Sequence, residues 1–471
     1  MPELLLALDA GTTGVRAMVT DVGGIVLGVC KQRIESHFPA PGRVEQDADA
    51  VWEACRDVID GALAGAGRTP ADIAAIGLTT QRASVVVWDR RTGRAAAPMI
   101  VWSDLRGMAR YRELRAAGFL SWPQVPAAKL EAALAAAEGS DLAWGTLDSW
   151  LLWKLSGGNV HATDLSAAWI SGYVDPGDLT RWNADLLAFQ GLSERMFPKI
   201  VDSWGEIGAA DALGGIPVTA LLADQQASMV AHGVLAAGAW KMTYGPSGVL
   251  MMSTGVRPVS PHRTMPVAAM TRVGGGTRFC IEGMVVSTGS FVEWLCGLGL
   301  FASGADLETA AASVEDAKGV TIRPSLQGLG APHGRFDVQA LIAGLSLGAG
   351  RAHIARAALT GIACRVREIV DVLAASEFGV PETLPVDGGL SASGTLLQLQ
   401  ADLIGRPVRR HAAAEGSAFG AAMAAGIGAG LFGEVDLTAR IRYDRDYQPA
   451  ISADAANALF TDWQTAALGS L

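Results

Sequence analysis

Much that would mark a familiar protein class is scarce in this chain. Its five cysteines, Cys30, Cys55, Cys280, Cys296 and Cys364, are scattered over 471 residues. No CxxC pair or Cys/His cluster occurs, so neither a zinc site nor a disulfide framework is expected, and the thiols read as reduced structural residues. Charge is also thin, at 18% of residues, with an acidic balance of −10. Without an excess of Lys and Arg to neutralise phosphates, nucleic-acid and anionic-membrane partners are disfavoured. A single nucleotide is not excluded, because backbone amides hold phosphates without net basicity. No segment reaches the roughly 18 uninterrupted apolar residues of a membrane span. The apolar run Leu4 to Leu8 lacks a basic leader and stops at Asp9, so it reads as a buried strand and not as a signal peptide. These absences predict a cytoplasmic protein. No Walker GxxxxGK[ST] occurs, and the seven histidines show neither HxxxH nor HExxH spacing.

Half of the residues are hydrophobic, which suits compact α/β domains and argues against disorder. The length allows two of them. Leu4 to Leu8, the small-residue segment Asp9-Ala-Gly-Thr-Thr-Gly14, Val15 to Thr20, the turn Gly23-Gly24 and Ile25 to Leu27 read as three strands joined by hairpins, with no helix between. Helical periodicity runs from Ala48 to Ala64, with Gly65 as the expected stop, and Ile73 to Leu78 returns to a strand. A similar layout recurs later: Trp240 to Tyr244, the hairpin Gly245-Pro-Ser-Gly248, then Val249 to Ser253. Leu384-Pro-Val-Asp-Gly-Gly389 again ends an apolar strand in an acid and glycines. A boundary within Gly233 to Gly238 divides the chain into comparable halves, 1–234 and 235–471.

The segment from Asp9 to Arg16 carries the strongest chemical suggestion. Its small residues let the backbone approach an anion, its threonine hydroxyls can donate to phosphate oxygens, and a carboxylate at the strand end can hold Mg²⁺. The plain alternative is a β-hairpin whose acid and threonines satisfy turn amides. Asp224, in Ala223-Asp-Gln-Gln226, follows the apolar strand Ile216 to Leu222, where α/β proteins place ligands. It can accept a proton from a substrate hydroxyl; the plain alternative is a helix N-cap. Gly328-Leu-Gly-Ala-Pro332 and Asp387-Gly-Gly-Leu-Ser391 are glycine-rich loops able to admit a nucleotide, though glycines in turns are common.

Taken together, Ala7-Leu-Asp-Ala-Gly-Thr-Thr-Gly14, Thr80-Gln-Arg82, Val86-Val-Trp88, Ile100-Val-Trp102, Gly145-Thr-Leu-Asp-Ser-Trp150, Ala223-Asp-Gln-Gln226, Gly328-Leu-Gly-Ala-Pro332 and Val386-Asp-Gly-Gly389 resemble the FGGY carbohydrate kinases, and among these the glycerol kinases. The resemblance runs from Leu4 to about Phe432. It implies an α/β fold of two ribonuclease-H-like (actin/hexokinase-type ATPase) domains around a central cleft. It also implies ATP bound mainly by the second domain, and a small polyol or sugar acceptor bound mainly by the first. Position by position, Asp224 matches the general base and Asp9 the Mg²⁺-associated acid. Gly11, Thr12, Thr13 and Arg16 match the phosphate-contacting hairpin. Gly245, Ser247, Gly289, Glu293, Gly389 and Ser393 match nucleotide-side positions, and Arg82 and Trp102 match residues that hold the polyol. A homodimer is common among such kinases.

The chain departs from the glycerol-kinase pattern at several of these places. An Arg-Glu pair is Arg82-Ala83 here, which removes a carboxylate from the acceptor site. The second hairpin reads Tyr244-Gly-Pro-Ser-Gly-Val249, with Pro246 where a phosphate-contacting threonine is expected and Val249 where an aromatic wall is expected. Glu293 and Ser393 stand at positions usually Gln and Asn. The loop used elsewhere for sugar-bisphosphate regulation is absent, since Gly214-Gly215 runs directly into Ile216. Smaller side chains around the acceptor predict a pocket larger than glycerol needs, suited to a four- to six-carbon polyol or ketose. Asp104 can supply a replacement carboxylate, or else form a surface salt bridge with Arg106 or a neighbour. True glycerol kinase activity and a non-catalytic nucleotide- or sugar-binding regulator are the alternatives.

Overall fold

A computed structural model describes residues 3–469 apart from 120, 123 and 414. The opening apolar run forms β1 (Leu4–Ala10), buried along its whole length, as expected of a strand covered on both faces. Hairpins lead into β2 (Gly14–Asp21) and β3 (Val26–Arg33), with antiparallel register Asp9 to Arg16 and Gly14 to Arg33. Helix α1 (Ala48–Ala66) starts at Asp47, whose carboxylate accepts from the Asp49 and Ala50 amides. It ends at Gly67, with φ 63°. The expected stop at Gly65 is two residues early, because Gly67, not Gly65, takes the left-handed conformation that closes the last turn. Val51, Trp52, Cys55, Val58, Ile59 and Ala62, spaced three and four apart, form its buried face. The chain continues through β4 (Ile73–Thr80), β5 (Trp204–Ala210) and β6 (Ile216–Ala223) into helix α2 (Asp224–Ala231).

These strands form one sheet in the order β5-β6-β4-β1-β2-β3. Both hairpin pairs at one side are antiparallel, β1-β4 and β4-β6 are parallel, and β5 is antiparallel to β6.

The second half contains β7 (Trp240–Tyr244), β8 (Gly248–Gly255), β9 (Val267–Val273), β10 (Gly276–Val285), α3 (Gly289–Gly297), the long α4 (Arg351–Ala374), β11 (Leu384–Asp387), α5 (Gly394–Ile404), β12 (Val408–His411), α6 (Gly416–Gly428) and β13 (Tyr443–Tyr447). Its sheet runs β9-β10-β8-β7-β11-β12-β13. From β10 onward the steps are antiparallel, antiparallel, parallel, parallel, antiparallel, the same succession as in the first sheet read from β3. Two copies of one topology explain why strand, tight hairpin, strand recurs in the sequence.

Packing divides the chain into two units. The first comprises Met1–Gly233, Ala268–Arg278 and Ser417–Ile441, and the second comprises Val234–Val267, Phe279–Gly416 and Arg442–Leu471. Two later segments, Ala268–Arg278 and Ser417–Ile441, thus pack with the first unit. The return of α6 is recorded in close backbone approaches: a Cβ on Gly77 would lie 2.0 Å from the Ala421 carbonyl oxygen, and one on Gly428 2.0 Å from that of Thr219. Such contacts pair residues hundreds of positions apart, which sequence order does not reveal. Each unit has its own apolar core, around Leu6, Leu8, Trp52, Leu78 and Trp150 in the first and around Tyr244, Leu250, Phe291, Ile362 and Leu397 in the second. Among the described residues no helix is long and apolar enough to cross a membrane.

Candidate functional site

Strand register brings the first group of candidates together. Ala10 pairs with Thr80, and Thr80 with Ala223, so three adjacent parallel strands end side by side. Immediately beyond these ends come Gly11, Gln81 with Arg82, and Asp224. The carboxyl edge of a parallel sheet is where α/β proteins bind ligands. The Gln81 amide donates to the Ala10 carbonyl at 2.8 Å, which locks the second loop against the first.

The hairpin Gly11–Gly14 is closed by a Gly11 N–H to Gly14 C=O bond of 3.0 Å. Gly14 has no room for a side chain, since a Cβ there would meet the Gln32 carbonyl oxygen at 2.6 Å. Asp9 is buried, and its carboxylate accepts from Arg16 at 2.9 Å, directly across the strand pair. The Thr12 hydroxyl accepts from the Trp102 indole N–H at 2.9 Å, and the Thr12 carbonyl accepts from the Gln46 side chain at 2.8 Å. Gln46 in turn accepts from Gln81 at 3.2 Å.

Asp224 opens α2 but does not cap it. The N-cap is Ala223, and the Asp224 carboxylate accepts from the adjacent Gln225 amide at 2.7 Å. The same carboxylate lies 3.6 Å from the Arg82 guanidinium, with both side chains partly exposed. Trp102 is exposed over 42% of its surface, unusual for a tryptophan among the largely buried aromatic residues of this unit. Ala83 is buried and holds φ 60°. That left-handed conformation is uncommon outside glycine and clusters at functional sites.

Asp104 is the candidate for the replacement carboxylate. It is fully buried and accepts from the Arg106 side chain at 2.8 and 2.7 Å, from the Arg106 amide at 2.8 Å and from the Val44 amide at 2.7 Å. These donors outweigh the cost of its burial and hold its pKa below the usual carboxylate value. Its oxygens join segments 42–46 and 101–106, and its salt bridge with Arg106 is buried and not at the surface.

Several supporting residues escaped the sequence reading. Ser166 accepts from the Ala223 amide at 2.9 Å and donates to Asp164 at 2.8 Å, fixing the residue just before Asp224. Burial drives the Asp164 pKa up to about 7, while the Ala167 amide and the Ser166 hydroxyl and amide favour its charged form and nearby Asp148 raises it further. The signal was present as Thr163-Asp-Leu-Ser166, an N-cap pattern ahead of a short helix. Lys129, which shares the otherwise apolar stretch Pro126 to Ala137 with Glu131, was the other overlooked residue.

In the second unit Thr243 pairs with Asp387, so the hairpin Gly245–Gly248 and the loop Gly388–Gly389 leave adjacent strands at the same edge. The Gly245 amide donates to the Ser247 carbonyl at 3.1 Å, and the Gly289 amide donates to the Gly245 carbonyl at 3.0 Å. A Cβ on Gly289 would come within 2.6 Å of that carbonyl, so the start of α3 needs glycine there. The Thr243 hydroxyl donates to Asp387 at 2.5 Å. Gly389 has open space around it. Ser393 caps α5, accepting from the Leu396 amide at 3.1 Å, and is also bonded to Glu308. Glu293 lies exposed on α3, and Val249 is buried in β8.

Among the described residues no group of three or more His, Cys, Asp or Glu side chains is placed to hold a metal ion unaided. Mg²⁺ shared with phosphate oxygens needs only one or two carboxylates, a demand that a single buried acid at a strand end fits.

Residues 4–231 match the model of the N-terminal domain of the FGGY family of carbohydrate kinases, and residues 240–429 match that of its C-terminal domain. A glycerol kinase of Dechloromonas aromatica is 39% identical, with 100% of this chain and 98% of that protein covered. A xylulose kinase from Rhodospirillum rubrum has the same fold at a TM-score of 0.81 and 26% identity, covering 98% of each chain. A Plasmodium falciparum glycerol kinase crystallised with ADP matches in fold at a TM-score of 0.84 and 23% identity, covering 98% of this chain and 97% of that one.

Proposed function

The chain belongs to the FGGY family of carbohydrate kinases, ATP-dependent phosphotransferases, and we propose that its acceptor is a polyol or ketose of four to six carbons, phosphorylated with Asp224 as the base. The observation that carries the assignment of roles is the edge formed by Gly11, Arg82 and Asp224, three loops held in register by adjacent parallel strands. Asp224 takes the proton from the attacking hydroxyl, and Arg82, 3.6 Å from it, orients the same acceptor. The exposed ring of Trp102 packs against the acceptor carbons while its N–H stays fixed on Thr12. Because one residue touches both, the acceptor side and the phosphate hairpin move as a unit.

When bound, MgATP supplies the γ-phosphoryl group, and Asp9 is the carboxylate positioned for the metal. The hairpin amides and Arg16 offset negative charge near the transferred group, which is what phosphoryl transfer needs most from a protein.

The larger acceptor is argued from Ala83 and Asp104. The site has a methyl group where a carboxylate is expected, and Asp104, the candidate substitute, is bonded to Arg106. A glycerol hydroxyl thus loses a directional partner, and selectivity for glycerol falls accordingly. Glycerol itself is the second reading, favoured by the identity to glycerol kinases. A coupled ADP-release assay over glycerol, erythritol, C5 polyols, ribulose, xylulose and gluconate separates the two. A preference for glycerol would overturn the enlarged acceptor and leave the kinase intact.

A further inference from the structure

Lys129 lies between a 3₁₀ turn, Pro126–Ala128, and a short helix, Leu130–Ala135, and its side chain is wholly buried. Its ammonium donates to three carbonyls: Ala83 at 3.2 Å, Val101 at 3.1 Å and Trp102 at 3.3 Å. Two separate turns supply these acceptors. One turn carries Arg82, which pairs with Asp224, and the other carries Trp102.

We propose that Lys129 is a positioning residue for the acceptor site: by drawing the Ala83 and Val101–Trp102 carbonyls to one cation, it fixes the separation of Arg82 and Trp102. This rests on the reading of these two residues as acceptor contacts.

Three features support it. Buried lysines are normally paired with a carboxylate, and this one is held by backbone dipoles instead. Asp104 attracts it and Arg106 repels it through space, but Asp104 spends its oxygens on Arg106 and Val44. Burial lowers the Lys129 pKa to about 7, a cost that a purely apolar side chain at this position would not incur. The Ala83 carbonyl it holds belongs to the residue in the left-handed conformation, so the cation faces the most constrained point of the turn. A second link ties the same turns, the Trp102 amide donating to the Ser84 hydroxyl at 3.1 Å. Lys129 therefore acts on loops already in register and sets their fine spacing.

The test is Lys129→Met, with Lys129→Gln as the variant to read if the first does not fold. The acceptor is whichever of glycerol, erythritol, xylulose, ribulose and gluconate the wild type turns over fastest. The expected result is an acceptor KM raised about tenfold or more with the ATP KM within twofold. Amide exchange should also quicken in peptides covering 81–86 and 99–104 while peptides from β1 stay protected. An unchanged acceptor KM, with or without faster exchange, overturns the proposal, because a merely structural lysine lowers the amount of folded enzyme without changing affinity for one substrate alone. Failure of the underlying reading is visible separately: Arg82→Ala and Trp102→Ala would then leave the acceptor KM at its wild-type value.

Discussion

Replacing Gly420 by alanine tests how the proposed base, Asp224, is held in place. Gly420 lies on α6, and a Cβ there would sit 1.8 Å from the Ala227 carbonyl oxygen, 2.6 Å from the Ala227 carbonyl carbon and 3.0 Å from the Ala231 amide. Both partners are backbone atoms of α2, so no side chain can swing aside. Ordinary contact begins at 3.4 Å, and the two helices must part by roughly 1.5 Å to reach it. Overpacking of this kind costs about 1–3 kcal/mol. Because Asp224 is the first residue of α2, the displacement also reaches the proposed base. A misplacement of about 1 Å at a reacting group costs on the order of 10²-fold in rate. Thermal unfolding and kcat, measured on the same preparation, give the two readouts. Gly65→Ala is the control: Gly65 lies within α1 with nothing inside 4 Å of its would-be Cβ, and the change should be neutral or stabilise by about 0.4–1 kcal/mol. A Gly420→Ala enzyme with wild-type Tm and kcat would refute the packing argument. A lowered Tm with intact kcat would show that the displacement does not reach the reacting group.

Other expectations follow from particular contacts. Trp102→Phe keeps the ring but removes the N–H bonded to Thr12, and should raise the acceptor KM several-fold with little change in Tm, read by steady-state kinetics. Asp104→Ala leaves the Arg106 guanidinium to Glu45 alone and the Val44 and Arg106 amides without their acceptor, and should destabilise by about 1–3 kcal/mol while leaving the rank order of acceptors unchanged, as checked by denaturant unfolding and the acceptor panel. Asp164 titrates near 7 when folded and near 3.8 when unfolded, so the folded state holds the extra proton between those values. Its contribution to stability is thus greatest at the acid end of that window and is lost as pH rises towards 7. The Tm difference between wild type and Asp164→Asn should shift in that sense between pH 5 and 8, and a difference independent of pH would contradict it.

The parts of the fold legible in the sequence were those set by local pattern. Leu4 to Ala10, the Gly11–Gly14 hairpin and Asp224 after its apolar strand could be placed because apolar runs, small residues and strand ends are encoded within a few positions. The recurrence of strand, hairpin, strand at Trp240 to Ser253 pointed to duplication, and the strand order of the two sheets shows it. What could not be read depended on distant partners. Asp104 and Arg106 are neighbours in sequence, but the Val44 amide that completes the cage around Asp104 lies 60 positions away. Ser166 meets Ala223 across 57 positions, and α6 returns to β4 and α2 only through glycines whose purpose is close backbone approach. Lys129 illustrates the same limit, since a lone lysine in an apolar stretch gives no hint of which carbonyls it will reach.

The central claim is tested most directly by ADP release from the wild type and Asp224→Asn across the acceptor panel at saturating MgATP. The account predicts turnover of a four- to six-carbon polyol or ketose, reduced by about 10²–10⁴-fold in the variant. Turnover that survives Asp224→Asn undiminished would contradict the assignment of the base, and no acceptor-dependent ADP release from the wild type would contradict the proposed acceptor class.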